Sequence, residues 1–372
     1  MPFTDEERLP TGAGEANMEK YGYRFSFGPW NISRGADPFG PDVRPAVAFA
    51  EKLPIYRELG FDAVQFHDDD AVPDLNDLSP AEIRDKARLV RRQLDDFGLV
   101  AEFVAPRLWE DPRTIDGGFT ANDPKCRTYA IERSKRAVDI AQELGTDLMV
   151  LWLAREGTYM RESKNVVQAT GWLLEAVNVL LEYDKTLRIA IEPKPNEPMD
   201  LAYIPTMGHA LALGMQADDP KRVGVLMESA HSILAGLDPA DEIGYALALR
   251  KLWSVHLNDQ NGLKYDQDRS FGSVDLRRAF NQVRVLDENR FWEVGMVGLD
   301  VKAVRTQPAE LATKHLRNSL QVFVGLVELS RALDRNAMAE LIAARDYEEL
   351  DWLILSHLMG KVSDRSGISH GI

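Results

Sequence analysis

The feature that most constrains this chain is an alternation. Eight short apolar segments with strand character are separated by helix-like stretches, and most of them run into charged residues at their carboxyl ends. The strand-like segments are Arg24–Gly28, Phe61–Phe66, Leu99–Val104, Leu148–Trp152, Arg188–Glu192, Arg222–Met227, Leu252–Leu257 and Met296–Val301. Between them the spacing of apolar residues predicts helices over Arg44–Leu59 (with Pro54 inside and Gly60 as its stop), Ser79 to about Asp96, Arg127–Leu144, Val166–Tyr183, from about His231, and over Val274–Leu286. Strand–helix units in this number close into a parallel barrel, an α/β fold of the (β/α)8 TIM-barrel type. Past Pro308, Leu311–Leu333 and Asn336–Met359 read as amphipathic helices. A barrel needs only the first, which divides the chain into a catalytic barrel to residue 308 and a C-terminal helical extension suited to subunit contacts.

The sharpest single stretch is Arg188–Pro198 (RIAIEPKPNEP). Prolines cannot continue a buried ladder, so the strand ends near Glu192, and they hold the following backbone nearly rigid. Glu192 and Lys194 lie two apart on extended chain, so a carboxylate and an ammonium point the same way. Similar residues recur after the other strands: His67 and Asp70, Glu228 and His231, His256, Asp266 and Asp268, Asp300 and Lys302. The carboxyl ends of barrel strands share one rim, so these positions converge. Glu192, Glu228, Asp266, Asp268 and Asp300 in one pocket would repel strongly without cations. Oxygen-rich ligation with some imidazole suits Mg, Mn or Co, and predicts divalent metal ions as cofactors.

Composition enters by exclusion. A net charge of −15 argues against a nucleic-acid or anionic-membrane partner. The single cysteine, Cys126, rules out an internal disulfide. The polar, acidic first residues lack the basic and apolar regions of a signal peptide, and no apolar run approaches a membrane span. The expectation is a soluble, cytoplasmic protein.

Several motifs carry a resemblance. FHDDD (Phe66–Asp70), DGGFTAND (Asp116–Asp123), REG (Arg155–Gly157), IEPKPNEP (Ile191–Pro198), LKYDQD (Leu263–Asp268) and DVKAVRT (Asp300–Thr306) are similar to those of the shorter class of D-xylose isomerases. The resemblance runs from about Arg24 to Thr306. It implies two divalent ions per subunit, with Glu192, Glu228 and Asp300 among the ligands of the first, and Glu228 (bridging), His231, Asp266 and Asp268 those of the second. It further implies that His67 with Asp70 opens the cyclic sugar and that Lys194 meets the carbonyl-end oxygen. Asp266 would take a proton through water before a hydride shift. Trp30, Trp109, Trp152 and Lys302 would line the substrate pocket. Phe39 would reach a neighbouring subunit's site in a homotetramer.

Three places depart from that family. His256 stands where the xylose isomerases usually carry an aspartate ligand; it reads as a ligand, with a buried histidine bonded to a carboxylate as the alternative. Ala105-Pro106-Arg107 replaces a small polar stretch, so Arg107 either binds an anionic group on the substrate or, the favoured reading, pairs with Glu110 or Asp111. Ser33-Arg34 replaces the usual loop after the first strand. The expected function is a metal-dependent aldose–ketose isomerase of the D-xylose type. The alternatives are a related isomerase or epimerase acting on another sugar, and a non-catalytic sugar-binding barrel.

Overall fold

The computed structural model describes residues 21–37, 40–263 and 265–361. Eight parallel strands form the barrel: β1 (Phe25–Phe27), β2 (Ala63–His67), β3 (Val100–Ala105), β4 (Leu148–Trp152), β5 (Arg188–Glu192), β6 (Val223–Glu228), β7 (Leu252–Leu257) and β8 (Met296–Leu299). They close in the order β1-β8-β7-β6-β5-β4-β3-β2. The sequence pattern predicts β4, β5 and β7 to the residue, and the others to within a residue or two at each end.

The helices are α1 (Phe49–Glu58), α2 (Asp68–Ala71), α3 (Pro80–Asp96), α4 (Pro124–Leu144), α5 (Val166–Tyr183), α6 (Met207–Met215), α7 (Ser229–Leu234), α8 (Pro239–Ala248), α9 (Leu276–Glu288) and α10 (Lys314–Ala332), followed by α11 (Arg335–Ala344) and α12 (Tyr347–Leu358). Ser79 and Glu82 make the capping box that starts α3, with the Ser79 N–H donating to Glu82 Oε2 at 2.8 Å. Gly145 ends α4 in the left-handed region at φ 83°. None of the described helices is long and apolar enough to cross a membrane.

Two helix expectations need correction. The first helix does not begin at Arg44. That side chain is buried and donates to the carbonyls of Ser33, Ala303, Val304, Arg305 and Gln307, tying the loops after β1 and β8 together. The second concerns Asn336–Met359, which is two helices. Arg345 turns into the left-handed region at φ 57°, and Asp346 restarts the chain by accepting from the Glu349 N–H at 3.3 Å.

Side chains on the strands alternate between two cores. Ile189 and Ile191 of β5 join the large apolar layer between strands and helices, whereas Ala190 faces the smaller interior cluster with Phe103, Ala105, Leu148, Val150 and Leu226. The pairing of β2 with β3 slips by one at Glu102, so that Val64 opposes Ala101 but Gln65 opposes Phe103. The buried Glu102 carboxylate accepts from Ser254 Oγ at 2.7 Å and from Gln65 Nε2 at 3.1 Å, and Gln65 also donates to Ser26 Oγ at 3.0 Å. A polar layer therefore lies within the barrel next to the residues of the rim.

Candidate active site

The rim at the strand carboxyl ends surrounds a cavity of about 590 Å³. Strand register brings its members side by side. Trp152 pairs with Glu192, Glu228 with His256, and His256 with Gly298. The prolines after β5 deliver Lys194 into the pocket, where it is 6% exposed. Its Nζ lies 3.1 Å from Asp266 Oδ2, 3.4 Å from Glu197 Oε2 and 5.1 Å from the centre of the Trp152 ring.

The ligand-type residues predicted from sequence meet here. Donor atoms of Glu192, Glu228 and His231 lie within 4.8 Å of one another; so do those of Glu228, His256 and Asp300, and those of Glu228, Asp266 and Asp268. Glu228 belongs to all three groups. His231 Nε2 is 3.0 Å from Asp266 Oδ2, and His256 Nδ1 is 3.4 Å from Glu228 Oε2 and 3.6 Å from Glu192 Oε1. Trp30 Nε1 donates to Asp300 Oδ1 at 2.8 Å, and Lys302 pairs with Asp268.

The electrostatics of this cluster call for cations. Burial raises the pKa of Glu228, and Asp266 and Asp300 push the same way against the histidines. Asp268 is likewise raised well above its ordinary value by burial and by Asp266, Asp300 and Glu228. Asp266 behaves oppositely: burial would raise it, but Lys194 and His231 outweigh burial and hold it ionised. His231 Nδ1, His256 Nε2 and Asp266 Oδ1 are buried without a hydrogen-bond partner. Imidazole nitrogens and a carboxylate oxygen without hydrogen bonds, beside two carboxyls that burial and acidic neighbours push toward the neutral form, fit divalent ions.

Aromatic walls close one side. Trp30 lies over the His67 ring at 4.3 Å between centroids, the His67 and Trp109 centroids are 4.9 Å apart, and Trp109 meets Trp152 edge to face at 4.4 Å. His67 itself ends β2 and starts α2, and Asp70 Oδ2 lies 2.9 Å from its Nδ1. Arg107 pairs with Glu110 at 3.3 Å, as expected, and also with Asp69 at 2.7 Å and Asp70 at 3.1 Å. Asp111 is not its partner, because Arg113 and Tyr129 take that carboxylate. Phe39 lies outside the described residues.

Four residues escape sequence reasoning. Asn258 donates to Glu228 Oε1 at 2.9 Å and to the Asp300 carbonyl at 3.0 Å, bracing ligand-type residues from two strands. Glu197 accepts from the Asp266 N–H at 2.9 Å and so positions that loop. Arg133, in the middle of α4, grips the fully buried Asp68 at 2.8 and 2.9 Å. Glu156 accepts from the backbone of Gly118, Phe119 and Thr120 at 3.0, 3.0 and 2.8 Å, which explains why the DGGFT and REG stretches go together. Glu197 could have been found from its place in the Pro-rich stretch. Glu156 lies in the REG stretch already singled out, whereas Asn258 and Arg133 carry no local signal, since each acts on a residue distant in sequence.

The model of the family described as xylose isomerase-like TIM barrel matches residues 53–317. A xylose isomerase of Thermus caldophilus is 34% identical over 338 residues, covering 88% of this chain and 85% of the relative. One from Thermus thermophilus is 34% identical over 328 residues, covering 87% and 84%. Among solved structures, an L-ribulose 3-epimerase superposes with a TM-score of 0.59 at 15% identity, covering 87% of this chain and 99% of that one, a likeness of fold.

Proposed function

Since the chain belongs to the xylose isomerase-like TIM-barrel family, we propose that it is a sugar isomerase, a metal-dependent aldose–ketose isomerase with D-xylose as its reference substrate. The observation that carries this reading is the threefold sharing of Glu228 beside the Lys194–Asp266 pair. In this reading Glu192, Glu228, His256 and Asp300 hold one divalent ion, and Glu228, His231, Asp266 and Asp268 hold a second. When bound, such ions act as Lewis acids toward the oxygens of the open-chain sugar.

The remaining roles belong to the chain's own residues. His67, backed by Trp30 and Trp109, meets the cyclic sugar and assists its opening. Lys194 keeps its proton: burial would lower its pKa, but Asp266, Glu197 and Glu228 raise it. It is therefore a fixed positive charge for the oxygen at the carbonyl end, worth most in a site shielded from water. Ionised Asp266 accepts, through a water, the proton released from the neighbouring hydroxyl. Trp109 and Trp152 limit water access, which favours a hydride moving between adjacent carbons over proton exchange with solvent. Lys302 neutralises Asp268. We further propose a cytoplasmic homotetramer in which Phe39 completes a neighbour's pocket.

The test is a panel of aldopentoses, aldohexoses and deoxy sugars with metal-stripped protein and added Mg, Mn or Co, run in deuterated water. Ketose formation that depends on metal and carries no solvent deuterium on carbon supports the proposal. Product epimeric at a single carbon identifies the epimerase alternative. No turnover of any sugar with any metal identifies a binding barrel, and either outcome overturns the reading.

A further inference from the structure

The mouth of the barrel has two unlike halves. β5 to β8 bring up Glu192, Glu228, His256 and Asp300, all members of the ligand-type groups. β3 and β4 bring up Phe103, Ala105 and Val150, which line the same cavity. Strand order sets the division, because β3 stands diametrically opposite β7 in the closed ring. Phe103 and His256 face each other across it, with ring centroids 5.9 Å apart. Register then places the apolar half next to His67. That residue opposes Ala105, and Val104 opposes Met149, so Ala105 and Val150, the next residue of each strand, are neighbours. Both are buried and both belong to the interior cluster.

A hydroxyl set against this wall meets side chains made of carbon alone. Trp152, two residues beyond Val150, has an indole N–H, but that atom is buried away from the open cavity. Arg107 is engaged with Asp69, Asp70 and Glu110, and Arg155 with the Trp109 carbonyl and the Tyr159 hydroxyl. A hydroxyl pressed here gives up its hydrogen bonds to water for nothing in return, whereas a methyl group gains by leaving water. Ala105 stands in the stretch that replaces a small polar one in the resembling family. It carries no polar atom, and its short side chain leaves space in front of it.

We propose that Ala105 is a specificity-determining residue, and that this site prefers an aldose whose chain ends in a methyl group, a terminal-deoxy sugar, to the same sugar ending in hydroxymethyl. The proposal deepens the isomerase reading and rests on it. In that reading the sugar's oxygens at the carbonyl end lie on the charged half, and His67 meets the cyclic form where it opens. The oxygen that closes a six-membered ring sits on carbon 5, so the group attached to carbon 5 lies beside His67 and against its register neighbour Ala105. A hexose presents hydroxymethyl there, a 6-deoxyhexose methyl, and a pentose hydrogen, which avoids the loss but forgoes the gain. A hydrophobic wall rejects an added hydroxyl by no more than about 10²-fold, so the preference is graded and not absolute.

The experiment measures binding and turnover separately on full-length, metal-loaded protein. Binding uses open-chain alditols, which cannot isomerise: hexitols of the gluco, galacto and manno configurations, each beside its 6-deoxy counterpart, titrated calorimetrically. Turnover uses the matching aldoses, compared by kcat/KM. In the configuration that binds best we expect the deoxy member to be favoured by about 10–10²-fold in both measurements. Ala105→Thr puts a hydroxyl on the wall and should cut that ratio about tenfold. Ala105→Val, of the same shape without the hydroxyl, should keep the ratio whatever it does to the two affinities. Equal binding of both members by wild type would overturn the proposal and leave the isomerase reading intact. A ratio that falls equally in the two variants would also overturn it, because volume and not polarity would then be the cause. A deoxy preference in binding with no turnover of any aldose supports the apolar wall and counts against the isomerase reading. Failure to bind any of the alditols overturns both.

Discussion

Gly298 offers a test of how tightly the barrel interior and the rim are joined. A Cβ at this position would fall on Gln65 Nε2, 2.7 Å from the Val255 carbonyl oxygen and 3.0 Å from His256 Cδ2. The Val255 oxygen belongs to the neighbouring strand β7 and cannot move without disturbing the ladder. Gln65 cannot simply swing away either, because it donates to both Ser26 and the buried Glu102. Forcing a methyl into a packed interior costs about 1–3 kcal/mol. Removing one of the donors of a buried carboxylate adds about 1.5–3 kcal/mol. Gly298→Ala should therefore lower the unfolding free energy by roughly 2.5–6 kcal/mol, a large share of a native stability that is commonly 5–15 kcal/mol. Guanidinium unfolding of the metal-free protein would measure it. Because His256 is the third atom in contact, calorimetric titration with Mn should also show weaker binding. Gly171, in α5, is the control: a Cβ there meets nothing within 4 Å, so Gly171→Ala should stabilise by about 0.5–1 kcal/mol. A Gly298→Ala protein as stable as wild type to within about 0.5 kcal/mol, against the 1–3 kcal/mol of overpacking, would refute the reasoning.

Lys194→Met should reduce turnover by on the order of 10²–10³-fold, with sugar binding retained, whereas His67→Asn should slow cyclic sugar only partly; equal loss in both, read by steady-state kinetics and equilibrium binding, would remove the division of labour. With His256 in place of an aspartate, Mn or Co should support activity at lower concentration than Mg, and His256→Asp should narrow that gap; an unchanged metal ranking would mean that His256 is not a ligand. His315 gives the pH prediction. Burial lowers its pKa to about 4, and its Nε2 lies 2.9 Å from the Asn31 carbonyl. The unfolded chain takes up this proton near pH 6.5 and the folded one only near 4, so stability is full above that window and is lost as pH falls through it. Wild type should lose about 1 kcal/mol more than His315→Gln between pH 7 and 5.5, measured by unfolding at each pH. Parallel curves would show that His315 does not titrate this way.

How much could be read without coordinates depended on how local the cause was. Strand bounds at β4, β5 and β7, the Ser79 cap and the glycine stop after α4 are set by neighbouring residues. The sequence therefore determined the barrel and, through the strand ends, the identity of the residues gathered at its rim. It could not determine how those residues are satisfied. Whether Arg107 meets Asp111 or Asp69, why α1 begins after Arg44, and that Asn258 braces Glu228 all depend on groups brought together from other strands. The resemblance pairs His67 with Asp70 from a three-residue spacing, but the guanidinium of Arg107, 2.7 Å from the same nitrogen, comes from forty positions away, across two adjacent strands. Burial makes such contacts decisive, because a polar group shut off from water must take whatever partner the fold supplies. The chain thus specifies its fold and chemical inventory locally, while protonation states and pairings are settled by tertiary packing.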